Sequence, residues 1–401
     1  MVLLVATQAS HMVNIGFTMV VGRALSDAEY SILQALLNAV LIVSAPVLAL
    51  RMVIAHYTAR FIQSGRTQEI KALLHYWNLY VLVAAAVILA GVFVARGPIA
   101  SFLNLERSGP VLVMGLVLAL NLYMTLLGGA LHGMQAFRWL VSATFSWAVV
   151  RLVCAAGLVL LVSATATNGL LAQFVATLVF IGVAAYAIRR GLRGATGRGE
   201  PLPDTIPYFW RSCVVLVSYA VLMYSDMILV RRFLPGDAGP FAYAATIGRT
   251  VIFLPMPIAV ALFPKVISEG GMTGADRRML RRGIAYGLAL TLTAVAGVLL
   301  LPKLALLVLF GMEAPGTEQV FLVRAVVLAM SPLGLAYILM NFELAQHRFA
   351  MLPGALLIAV AYIAGVALFH DTPRQVIAVL ACVSTAFLVL MLVCLPRDAS
   401  R

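Results

Sequence analysis

The sequence predicts an all-α membrane protein of about 12 transmembrane helices, set in two six-helix lobes related by a parallel internal repeat. Three observations carry that prediction. Of the 401 residues, 63% are hydrophobic and 11% charged, against roughly 45–50% and 25% in a soluble domain. Apolar runs of the length needed to cross a hydrocarbon core recur along the whole chain. Lysine and arginine alternate between the two sets of loops that those runs define.

The first run, 2–21, lies in "MVLLVATQASHMVNIGFTMVVGR". It has no basic n-region and no small-residue cleavage site, so it reads as a helix, not a removable signal. Past the turn "GRALSDAEYS" comes 31–50, then 73–95, and past "RGPIASFLNLERSG" comes 111–130. Runs 139–162 and 169–188 flank "SATATN", while 208–230 and 241–263 flank "RRFLPGDAGP". Run 283–301 precedes the loop "PKLALLVLFGMEAPGTE", 320–341 follows it, and 350–369 and 375–395 flank "HDTPR".

Eighteen of the 28 basic residues fall on the side that holds both termini, eight on the other, and Arg151 and Arg249 within spans. The positive-inside rule then places both termini in the cytoplasm. The net charge of +13 reflects short basic loops facing anionic headgroups, and no nucleic-acid partner is expected. Cys154, Cys213, Cys382 and Cys394 sit in or against apolar runs without CxxC spacing. Neither a disulfide nor a metal site nor any cofactor is expected from them.

The stretch "RRGLRGATGRGEPLPDTIP", 189–207, reads as a cytoplasmic linker between a lobe at 1–188 and a lobe at 208–401. Shifted by roughly 210 residues, the halves agree in their loops, as internal repeats of transporters do. Arg23 then faces Arg232 and Leu25 faces Leu234. Tyr123 faces Tyr337 and, after a small gap, Arg138 faces Arg348. An even number of spans per half makes the repeats parallel, with a substrate site expected near the midplane between them.

"GRALSDAEYSILQAL" looks like an R-x-L-G-x-x-x-[FY]-G turn, departing from it at Ser26 and Ser31, where that pattern has glycine. Together with "SDMILVRRFLPGDAGPFAYAATIGR…LPMPIAVALFPKV" and "LLPKLALLVLFGMEAP", it resembles the polysaccharide-type (Wzx-like) flippases of the multidrug/oligosaccharidyl-lipid/polysaccharide exporter superfamily. The resemblance covers nearly the whole chain through loose motifs. It implies flipping of a polyprenyl-(pyro)phosphate-linked oligosaccharide to the periplasmic leaflet. It further implies that helices one, two, seven and eight line a cavity. Partners would be the lipid-linked glycan, membrane lipids and glycan polymerase or glycosyltransferase machinery.

Ionisable residues inside a span are costly and tend to face a cavity or a partner. Arg151 lies twelve residues into its span, roughly 18 Å along the axis, too deep for easy snorkelling. Its forked, permanently charged head suits a pyrophosphate or acidic sugar, or else a structural pair. Arg249 carries the same two readings, and Arg51 at the end of its span is a phosphate catcher or a snorkelling anchor. His11, Asn14 and Asn121 offer hydrogen bonds to sugar hydroxyls or to neighbouring helices. Asp226 is a candidate coupling site for a cation or proton, or the partner of Arg249 or Arg231. Asn341 and Glu343, at the cytoplasmic end of their span, are a gate or a solvated end.

A cation-coupled drug antiporter of the same superfamily is the main alternative. It calls for a cavity carboxylate, commonly on span one, and span one here has His11 and Asn14 but no Asp or Glu. Midplane arginine favours an anion. A peptidoglycan lipid II flippase would use the same arginines. A membrane glycan polymerase or ligase would need a large external loop with catalytic side chains, and no nucleophile–base pair or phosphate-binding glycine loop is present. A non-enzymatic transporter is the expectation.

Overall fold

Why the apolar runs become helices is plain in a membrane, where every backbone amide must be paired within its own segment. The computed structural model describes residues 2–193, 206–254, 274–346 and 348–395. Its helices are α1 (Val2–Ala24), α2 (Asp27–Gln63), α3 (Thr67–Phe102), α4 (Gly109–Gly133), α5 (Phe137–Ala155) and α6 (Ala166–Gly191). They continue as α7 (Ile206–Phe233), α8 (Ala238–Phe253), α9 (Gly274–Leu300), α10 (Pro302–Phe310), α11 (Thr317–Ala345), α12 (Leu352–Leu368) and α13 (Pro373–Cys394). Among the described residues, nine helices are long and apolar enough to cross a membrane. The chain is an all-helical, multi-pass membrane protein.

Helices α2 and α3 run well past the apolar stretches that announce them, to 37 and 36 residues. Their apolar faces persist beyond those stretches, with Ile54, Phe61 and Ile70 buried. Gly65, at φ 71°, turns the chain between them in a conformation that disfavours a side chain. At the opposite end, Ser26 caps α2, and the Glu29 carboxylate accepts a 2.6 Å hydrogen bond from the Ala166 amide at the start of α6. A carboxylate there pairs an orphan amide and complements the helix dipole.

Helix α5 widens after Ala155 into a π-helix, Ala156–Val162. Its end is tied off by Asn168, whose amide donates to the carbonyls of Leu158 (3.1 Å) and Ser163 (2.8 Å). The short helix α10 was not expected, since 302–310 read as part of an external loop. Pro302 in its first turn and Gly311 at φ 71° after its last are the signature of a helix start and stop. Leu306 and Phe310 are buried, with the Phe310 ring 4.5 Å from that of Tyr243. The run 241–263 is described only to Leu254; its remainder, like most of the linker, lies outside the described residues.

Contacts divide the chain into two units, Met1–Cys213 and Val214–Arg401. The start of α7 belongs to the first unit because Phe209 packs on Trp77 at 5.9 Å and the Cys213 thiol donates to the Pro46 carbonyl at 3.6 Å. In the first unit α4 is the hub, packing on α2, α3 and α6, with α5 on α6. In the second α11 takes that place, packing on α8, α9 and α13, with α12 on α13. The same pairing scheme in each unit is the internal repeat in three dimensions: α2 answers to α8, α4 to α11, and α5 to α12.

Small residues let α2 and α4 approach backbone to backbone. A Cβ at Gly133 would lie 2.5 Å from the Ala55 carbonyl oxygen and 2.6 Å from Thr58 Cβ, whereas one at Gly128 would meet nothing nearer than Phe180 Cζ at 3.6 Å. Gly133→Val is therefore expected to lower the thermal unfolding midpoint in detergent, by overpacking of about 1–3 kcal/mol. Gly128→Ala should leave it unmoved, and equal midpoints for the two variants would contradict this account of the α2–α4 contact.

Candidate functional site

In the first unit, α1 and α5 bring Asn14, Phe17, Trp147 and Arg151 together. Asn14 and Phe17 are three apart on α1, and Trp147 and Arg151 four apart on α5, so each pair shares one helix face. Arg151 is only 8% exposed. Its Nη1 donates to the Asn14 side-chain oxygen, and its guanidinium carbon lies 3.6 Å from the Phe17 ring centroid and 5.3 Å from that of Trp147. A desolvated cation–π contact contributes about 2 kcal/mol, and the charged hydrogen bond about 1.5–3 kcal/mol. Arg151 Nε and Trp147 Nε1 are buried without a hydrogen-bond partner. The corner thus holds a full positive charge, spare donors and, among the described residues, no carboxylate.

The other first-unit candidates lie apart from it in their bonding. Asn121 donates at 3.5 Å to Ser44, joining α4 to α2. Arg51 is partly buried on α2, its carbonyl against Gly129. His11 shares α1 with Asn14, and its side chain lies outside the described residues.

The second unit solves the burial of charge differently. Asp226 of α7 is 0% exposed and Arg249 of α8 is 5% exposed. Arg249 Nη2 donates to Asp226 Oδ1, and its Nε donates to the Met223 carbonyl at 3.2 Å. Asp226 and Arg249 thus form an ion pair. Tyr362 of α12 is fully buried and lies within electrostatic reach of both charges. The Tyr362 hydroxyl, Asp226 Oδ2 and Arg249 Nη1 have no hydrogen-bond partner. Tyr362 was missed in the sequence, although it is the only polar side chain of α12, "LPGALLIAVAYIAGVAL".

The repeat relates these two centres. The register that pairs Arg138 with Arg348 sets Arg151 opposite Ala361, next to Tyr362, and that pairing Arg23 with Arg232 sets Phe17 opposite Asp226. Each unit therefore builds a polar centre from corresponding helices, α1 and α5 in one, α7 and α12 in the other. The first carries a charge of +1, and the second, where α8 adds Arg249, is neutral.

Farther along α11, Asn341 spends its amide on the Tyr337 carbonyl at 2.8 Å. Glu343 is no solvated end: it is 1% exposed, and neither carboxylate oxygen has a hydrogen-bond partner.

Neither a protein-family model nor a curated protein matches the sequence. Solved structures do match in shape. A multidrug-resistance MATE-family transporter of the MOP superfamily, in an inward-facing conformation, aligns at a TM-score of 0.75 and 13% identity over 96% of this chain and 93% of its own. The MATE multidrug transporter DinF-BH aligns at 0.71 and 16% over 99% and 93%. The lipid II flippase MurJ, in an inward closed conformation, aligns at 0.67 and 12% over 98% and 87%. At such identities the likeness is one of architecture, and the chain has the twelve-helix, two-lobe fold seen in these transporters.

Proposed function

We propose that this chain is an inner-membrane transporter that flips an anionic, polyprenyl-(pyro)phosphate-linked oligosaccharide from the cytoplasmic to the periplasmic leaflet by alternating access. The observation that carries the reading is Arg151, a buried guanidinium held by an amide oxygen and two aromatic rings, with no carboxylate among the described residues. A buried charge left without its opposite costs several kcal/mol, and an arriving phosphate supplies that opposite. The guanidinium fork is matched to phosphate oxygens.

A second reading, cation-coupled drug antiport, draws on the same fold. Against it stands the fate of the buried acids: Asp226 is already neutralised by Arg249, and α1 offers no carboxylate. In its favour stands Glu343, a buried acid without a hydrogen-bond partner.

Deleting the gene in its host and extracting lipids separates the readings. Accumulation of a diphosphate-linked oligosaccharide lipid, relieved by the wild-type copy but not by Arg151→Ala, is the expected outcome. An unchanged lipid profile with new sensitivity to cationic drugs would favour the second reading.

A further inference from the structure

Among the described residues, the second unit buries two carboxylates on its helices and treats them unequally. Asp226 is bonded to a fixed cation, Arg249. Neither oxygen of Glu343 is bonded to anything, and burying a charge in that way is among the most expensive things a fold can do. The described groups around it do not remedy this. Arg348, past the end of α11, lies within electrostatic reach, but its bond to Glu343 runs from backbone amide to backbone carbonyl, at 3.0 Å. Arg249 of α8 is committed to Asp226, while Arg278, Arg281 and Arg282 of α9 are exposed. Tyr362 of α12 sits with the Asp226–Arg249 pair, and α13 contributes the Cys394 thiol as an electrostatic neighbour.

Helix packing does not call for an acid at this place either. The register that pairs Tyr123 with Tyr337 sets Gly129 opposite Glu343. There a Cβ would lie 2.9 Å from the Arg51 carbonyl oxygen, so the first unit uses the position for close contact and nothing else. A metal cation would need several ligands gathered around it, and among the described residues no three His, Cys, Asp or Glu side chains gather. A single proton needs only the carboxylate.

We infer that Glu343 is a proton-binding site at the C-terminal end of α11, loaded when that end is closed and emptied when it opens to water. The neutral acid suits the dry, closed environment and the carboxylate suits the wetted one, so proton occupancy and opening are tied to each other. Charge placement assigns this end to the cytoplasm, which makes the site a cytoplasmic proton relay. Its use in transport rests on the transporter reading above; the proton site itself does not.

Infrared difference spectroscopy on the purified protein in lipid nanodiscs tests the site without any substrate. A protonated-carboxyl carbonyl band is expected in the wild type, retained in the Asp226→Asn/Arg249→Met double variant, shifted in Glu343→Asp and lost in Glu343→Gln. Gln preserves size and neutrality, so its unfolding midpoint should match the wild type, and a large drop would mean that Glu343 is held ionised, overturning the site. A band unchanged in Glu343→Gln, or one removed by sodium at constant pH, would overturn it as well. An intact Glu343 band in a protein that moves no glycan would sink the proposed function alone. Glycan flipping without the band would sink the proton site alone.

Discussion

Replacing Arg151 with alanine is expected to cut transport of a lipid-linked anionic glycan by at least ~10²-fold, with the protein still folded. Each hydrogen bond to a charged group contributes about 1.5–3 kcal/mol. A forked guanidinium makes two such bonds to a phosphate, and each 1.36 kcal/mol is tenfold in rate. Arg151→Lys keeps the charge but not the fork, so it should fall between wild type and alanine. The fold should tolerate the loss, because the contacts given up to two rings and one amide are offset by no longer burying a charge without its opposite, which itself costs several kcal/mol. Initial flipping rates in proteoliposomes carrying equal amounts of monodisperse protein measure the effect. Wild-type rates from Arg151→Ala would remove Arg151 from the substrate path.

The Asp226–Arg249 pair predicts the opposite pattern, a loss of stability. Asp226→Asn strands Arg249 and Arg249→Met strands Asp226, each at 0–5% exposure. Breaking a buried pair from one side costs about 3–5 kcal/mol, whereas replacing both charges together is often close to neutral. Unfolding in detergent should therefore show two strongly destabilised single variants and a double variant near wild type. Strictly additive losses would mean that the two residues are not paired.

Much of this architecture was legible in the residues, because the membrane imposes its own grammar. Apolar length and basic-loop placement announce the spans, and the agreement of Arg23 with Arg232 and Tyr123 with Tyr337 announces the repeat. What escaped was local. Helices α2 and α3 outrun their apolar stretches, since nothing at Arg51 or Lys71 interrupts a helix that still has an apolar face to bury. Helix α10 hid inside a presumed loop, though Pro302 and Gly311 mark its two ends.

For the polar centres, the sequence supplied the residues but not the partners. Asp226 and Arg249 were visible as a possible pair because they lie on consecutive helices. The stacking of Arg151 on Phe17 joins residues 134 positions apart, and only the fold brings them together. Tyr362 could have been found by asking which α12 side chain is not aliphatic. The burial of Glu343 could not, because polar residues near a helix end read alike whether water reaches them or not.

The proposed function stands on an anionic cargo for the positive first-unit corner. Vesicles reconstituted with the pure protein test it most directly. They would be offered either a fluorescent polyprenyl-diphosphate oligosaccharide or a lipophilic cationic dye, with flipping or uptake followed for each. Movement of the diphosphate-linked glycan across the bilayer and none of the dye is the expected result. Uptake of the dye with the glycan left in its original leaflet would contradict it.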